Sequence, residues 1–145
     1  MKVFTYGSLM RGFGNHTVMQ RANGQFIKEA VIDGLQLRAY CQGFPCAVQL
    51  NGYAVSGEIY EVDDIGLMVL DRLESEGSFY HRIKATTEEG EQVEVYILKP
   101  DDARGAVIPS GSWRTYKRTQ ESTWGYPSRR RAFTYDDYLE WWDEK

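Results

Sequence analysis

Apolar and polar residues alternate from Met1 to Tyr6 (MKVFTY), which predicts a short, mostly buried strand. The chain then breaks at once into Gly7-Ser8-Leu9. A strand that opens into a small-residue turn leaves backbone N–H groups without ladder partners, and such groups can seat an anion. The next elements follow in order. Asn15 is placed to cap a short helix over His16 to Ala22. Gln25 to Ala30 reads as a strand, Asp33-Gly34 as a turn, and Leu35 to Tyr40 as a further alternating strand. Phe44 to Leu50 is a strand entered through Gly43 and Pro45. Asn51-Gly52 is the strongest hairpin dipeptide in the chain and leads into a strand over Tyr53 to Val62, with Gly57 inside it.

The period then changes from two to 3.6. Asp63 or Asp64 caps a helix from Ile65 to about Glu74, and Leu67, Leu70 and Glu74 share one face of it. Tyr80 to Thr87 and Gln92 to Leu98 form a second hairpin around Glu89-Gly90. Lys99 to Pro127 reads as loops with one short helix near Trp113 to Thr119. Thr134 caps a last helix over Tyr135 to Trp142. Strands linked largely by hairpins, with two or three helices beside them, predict an α+β fold: a small, curled, mostly antiparallel sheet or barrel.

At 145 residues the chain is expected to form one domain, 1–145, with a less assignable helical extension from about 117. The net charge of −4 argues against general attraction to nucleic acid. No apolar run approaches the roughly 20 residues that span a bilayer, and no signal-peptide pattern opens the chain. Cys41 and Cys46 fit neither a metal pattern nor a disulfide framework, so a reduced, cytoplasmic protein is expected.

Glu74 is the most telling carboxylate. At the end of an apolar helical face it would be partly desolvated, which favours its neutral form and lifts its pKa toward the range a proton shuttle needs. The competing reading is a solvated carboxylate at the helix edge. Glu76, in an expected turn, and Glu58, on a strand, are the other acidic candidates, and both read as structural. His16 and His81 sit in no metal-ligand cluster, and Ser8 in no nucleophile elbow. Arg129-Arg130-Arg131 reads as a solvated loop. The aromatic residues Tyr135, Tyr138, Trp141 and Trp142 read as helix packing.

Five segments together carry a family resemblance. They are Tyr6-Gly7-Ser8-Leu9 with Arg11-Gly12 and Asn15-His16; Gly34-Leu35 with Phe44-Pro45; Val55-Ser56-Gly57-Glu58-Ile59-Tyr60; Leu70-Asp71-Arg72-Leu73-Glu74 with Tyr80 and Arg82; and Ile108 to Arg114. In this order they resemble the gamma-glutamylcyclotransferase-like family, especially its gamma-glutamylamine cyclotransferase branch. The likeness runs from residue 3 to about residue 116. It implies that Glu74 is the catalytic carboxylate and that Tyr6, Gly7, Ser8 and Leu9 form the substrate-binding loop, with Arg11, Tyr80 and Trp113 as secondary pocket candidates. The family commonly has Gly after the catalytic Glu. Ser75 stands there in this chain, which keeps Glu76 as a fallback. The resemblance further implies a cofactor-independent, metal-free reaction on a small γ-glutamyl substrate, releasing 5-oxoproline and an amine. The alternative is a non-catalytic module that binds a small ligand or a partner on the same fold.

Overall fold

The computed structural model describes residues 1–40, 45–74 and 80–123. The elements run β1 (Lys2–Thr5), α1 (His16–Arg21), β2 (Gln25–Ala39), β3 (Cys46–Glu61), α2 (Asp64–Leu73), β4 (His81–Thr86), β5 (Gln92–Ile97), β6 (Ala106–Val107) and α3 (Trp113–Thr123), with a 3₁₀ turn at Pro100–Asp102. The strands form one sheet in the order β4-β5-β1-β3-β2-β6. Every described pairing is antiparallel except β1 with β5. The fold is α+β with a mostly antiparallel sheet, as the sequence predicts.

Alternation along each strand sends neighbours to opposite faces. Phe4, Ile59 and Val95 join one core with Leu37, Val55 and Trp113. Val3, Tyr60 and Tyr96 join the other, with Met19, Leu67 and Leu70. The first face is covered by α3 and the Met10–Phe13 loop, the second by α1 and α2. Of the two candidate caps of helix α2 it is Asp63 that serves, accepting from Gly66 N–H at 2.7 Å. Leu67 and Leu70 are buried on its inner face, and each contributes roughly 1.5–3 kcal/mol. At its far end Asp71 receives Arg82 of β4 through Nε at 2.9 Å and Nη2 at 3.3 Å. The cap and the clamp together fix where α2 stops, and Glu74 is the residue at that stop.

The structure corrects several expectations. Asp33-Gly34 and Asn51-Gly52 do not reverse the chain. They lie opposite each other within one long hairpin, where the register passes from Asp33↔Ala54 to Leu35↔Gln49. Residues 50–53 bulge outward against the single Gly34. Both glycines take the left-handed backbone such a bulge needs, with φ of +84° at Gly34 and +96° at Gly52. The pairing of β2 with β3 continues past the bulge to Arg38↔Cys46. Pairing across the bulge wins because Leu35, Leu37, Ala47 and Val48 are all buried by it.

Asn15 does not cap α1 with its side chain. Strand β6, paired with Arg38 and Ala39, was not signalled by the sequence, and α3 extends past Thr119 to Thr123. Phe44, Glu76, the arginine run and the helix expected over Tyr135 to Trp142 lie outside the described residues.

Candidate active site

Strand β1 is central in the sheet, between β5 and β3. It delivers Tyr6 and the loop after it to a cavity of about 200 Å³. The loop is pinned through its carbonyls. Gly7 O accepts from Met10 N–H at 3.1 Å, and Ser8 O from Asn15 N–H at 3.0 Å. Leu9 O lies 3.0 Å from His16 Nδ1, which therefore carries a proton and donates. In a trans peptide the N–H points opposite to the preceding C=O. Holding the carbonyls of Gly7 and Ser8 thus turns the N–H groups of Ser8 and Leu9 away from those partners. Among the described residues nothing accepts from the N–H of Gly7, Ser8 or Leu9. Gly7 itself allows the close approach of Pro45: a Cβ there would meet the proline ring at 2.8 Å.

Glu74 enters the same cavity from the C-terminal end of α2, as its C-cap. Burial pushes its pKa from 4.5 up to about 7. The negative end of the helix, where it sits, acts in the same direction. None of the described lining residues is Lys, Arg or His, so no nearby cation offsets the effect. Three tyrosines complete the wall, each donating its hydroxyl to the protein: Tyr6 to Tyr96 O at 2.7 Å, Tyr80 to Pro45 O at 2.8 Å, and Tyr96 to Asp71 Oδ1 at 2.6 Å. Burial first, then neighbouring Tyr80 and Glu74, push the Tyr6 phenol well up. Burial raises the Tyr6 and Tyr96 phenols, whereas the Glu74 carboxyl titrates near neutrality, so among the described lining residues Glu74 is suited to exchange a proton with a ligand at pH 7.

A carboxyl whose pKa rises on folding holds its proton more tightly in the folded chain. Its contribution to stability is therefore full below about pH 4.5 and lost as the pH climbs through 7. Glutamine at this position has no proton to lose. Relative to wild type, Glu74→Gln is expected to gain about 2 kcal/mol between pH 5 and pH 8, after a discount for the open side of the cavity. Urea unfolding at the two pH values measures this. An equal difference between the chains at both would contradict the raised pKa.

The structure brings Tyr6, Gly7, Ser8, Leu9, Glu74 and Tyr80 to one cavity. It does not bring Arg11 or Trp113 there. Arg11 turns to Glu58, with Nε 3.1 Å from Oε2. Trp113 is fully buried in the core and stacks on Tyr116. Glu58 is 2% exposed and accepts from Arg11 N–H, Arg11 Nε and Tyr60 OH, with Arg114 Nη2 at 3.5 Å. Its contacts are to the protein, and it does not line the cavity that Glu74 enters. Sequence reasoning missed Asn15, Thr5, Leu73 and Tyr96 as lining residues. Asn15 belongs to the opening motif, a signal that a cap explained away. Tyr96 had none, since its place depends on the β1–β5 pairing.

A second cleft of about 420 Å³ lies among Glu29, Glu58, Glu88, Glu89 and Arg114. Glu58 is committed to its arginines and Glu89 to Lys28, 2.9 Å away. Among the described residues no group of three or more His, Cys, Asp and Glu is arranged to hold a metal ion. No described helix is long and apolar enough to cross a membrane.

Residues 3–115 match the family model described as gamma-glutamyl cyclotransferase, AIG2-like. The gamma-glutamylcyclotransferase family protein YtfP of Escherichia coli is 37% identical over 114 residues, covering 78% of this chain and 96% of that one. The solution structure of the Escherichia coli protein superposes with a TM-score of 0.60, at 32% identity over 78% of this chain and 96% of that chain. An AIG2-like protein of Mus musculus superposes with a TM-score of 0.63, at 27% identity over 77% of this chain and 86% of that chain.

Proposed function

The chain belongs to the gamma-glutamyl cyclotransferase, AIG2-like family, and from that membership we propose that it cyclises the γ-glutamyl group of a small γ-glutamyl amine or related conjugate, releasing 5-oxoproline and the free amine. The observation that carries this reading is a carboxyl with a pKa of about 7 sharing one cavity with N–H groups that have no described partner. The substrate contains its own nucleophile. Its α-amine attacks its own γ-carbonyl, a C–N bond closes the five-membered ring, and the bond to the leaving amine breaks. The enzyme must fold the chain of the substrate, remove a proton from the α-ammonium and supply one to the departing nitrogen.

Glu74 serves both transfers. As carboxylate it accepts the ammonium proton, and as carboxylic acid it returns a proton to the leaving amine. Such acid–base work is worth about 10²–10⁴-fold. Holding the amine over the carbonyl contributes further, because it turns a loose rotor into an aligned pair. The N–H groups of Gly7, Ser8 and Leu9 suit the substrate carboxylate or the developing oxyanion. With no cation in the described wall, these dipoles and the Ser8 hydroxyl are the groups suited to an anion.

Incubation of the purified chain with a panel of γ-glutamyl amines, peptides and conjugates, followed by mass spectrometry for 5-oxoproline, tests the proposal. Release of 5-oxoproline with one equivalent of amine is expected for at least one class. Binding without product would favour a non-catalytic module.

A further inference from the structure

Asn15 occupies the usual capping position before α1 but does not use it, since its side chain bonds no helix N–H. Its Nδ2 instead donates to Ser8 Oγ at 3.0 Å, and its backbone N–H donates to Ser8 O at 3.0 Å. Asn15 thus grips Ser8 twice, once at the backbone and once at the side chain, and both residues line the cavity. A hydroxyl whose oxygen is occupied by an N–H donor has its own proton left to give. No described group accepts the Ser8 O–H. The loop therefore offers the cavity a side-chain donor in addition to its peptide N–H groups.

We propose that Asn15 is a positioning residue: it makes Ser8 a hydrogen-bond donor to the carboxylate of the bound γ-glutamyl group and so sets the affinity of the site for that end of the substrate. This rests on the reading that the cavity takes a γ-glutamyl conjugate. The residue type fits the role. Aspartate caps helices as well as asparagine does, yet a carboxylate in place of the Asn15 amide would accept from Ser8, turn its proton away from the cavity, and repel an anion beside it. The amide, unlike the carboxylate, supplies a donor in that place without charge.

The test is a double-mutant cycle on the full chain with Asn15→Ala, Ser8→Ala and the double variant, and Asn15→Asp beside it. The readouts are the Kd for 5-oxoproline by calorimetry, and KM and kcat for whichever γ-glutamyl amine is turned over. Asn15→Ala is expected to weaken 5-oxoproline binding about fivefold, and Asn15→Asp at least about tenfold. KM should rise accordingly while kcat stays within a factor of about two, since the lost contact is made equally in ground and transition states. In the Ser8→Ala background Asn15→Ala should add less than about twofold. A merely structural role would instead cost the same factor in both backgrounds, and that result overturns the proposal. So does wild-type affinity in Asn15→Asp. Thermal melts establish that each variant is folded, and Asn15→Ala alone completes the cycle if the aspartate variant is not. Binding of 5-oxoproline without turnover of any γ-glutamyl amine would remove the proposed reaction but leave the cycle readable. No binding by wild type would overturn both.

Discussion

Glu74→Gln is expected to lower 5-oxoproline release by about 10²–10⁴-fold while the chain stays folded. The substitution keeps the size and shape of the side chain and removes only the ability to take up and give back a proton. Among the described residues no hydrogen bond or ion pair holds the Glu74 side chain, and its backbone N–H and C=O bond to Leu70 and Tyr80 whatever the side chain. Its burial is a cost to the charged form rather than a support for the fold. Loss of turnover should therefore come with equal or greater stability, and with 5-oxoproline affinity near that of wild type. That combination separates a chemical role from a structural one. Turnover at the wild-type rate would place the proton transfers elsewhere.

Glu58→Ala is expected to do the reverse. It should cost about 3 kcal/mol of stability, read by urea unfolding, and leave kcat of the folded protein within about tenfold of wild type. The carboxylate is almost wholly buried and collects two groups of Arg11, the hydroxyl of Tyr60 and the guanidinium of Arg114. It ties the loop after β1 and the first turn of α3 to the C-terminal part of β3. Truncation leaves the Tyr60 hydroxyl and the Arg11 N–H without their acceptor, removes the counter-charge of Arg114, and leaves Arg11 only Glu29 at 3.9 Å. Arg11 and Arg114 are partly exposed, 45% and 31% at their side chains, so water recovers part of the loss and the figure stays at the low end for a buried pair. A variant that kept full stability but lost turnover would exchange the roles assigned to Glu58 and Glu74.

The sequence made visible those parts of the molecule that local rules decide. Helix α2 was legible because period and cap agree within a dozen residues. The β4–β5 hairpin was legible because Glu89-Gly90 lies between two alternating runs. The bulge in the β2–β3 hairpin was not. Asn-Gly is the best local turn signal in the chain, yet the residues before it pair with Leu35 to Arg38 rather than with the residues after it. Only burial across the whole sheet decides between the two arrangements.

The site shows the same division. Tyr6 to Leu9 and Glu74 stand out in a linear motif and share one cavity. The place of Asn15 in the cavity wall was hidden, because a residue at a capping position already has a local explanation. Arg11 and Trp113 belong to the motif but lie outside the cavity, because Arg11 turns to Glu58, 47 residues away in sequence, and Trp113 packs into the core across the sheet. Asp71 and Tyr96, which meet at the end of α2, stand 25 positions apart in the chain with β4 between them.

The most direct measurement is the pH dependence of kcat/KM for 5-oxoproline release by the wild-type chain. With Glu74 as the base, the rate should climb about tenfold per pH unit on the acid side and turn over near pH 7. A limb that turns over near 4.5, as for an ordinary solvated glutamate, or a profile flat from pH 5 to 8, would contradict the account.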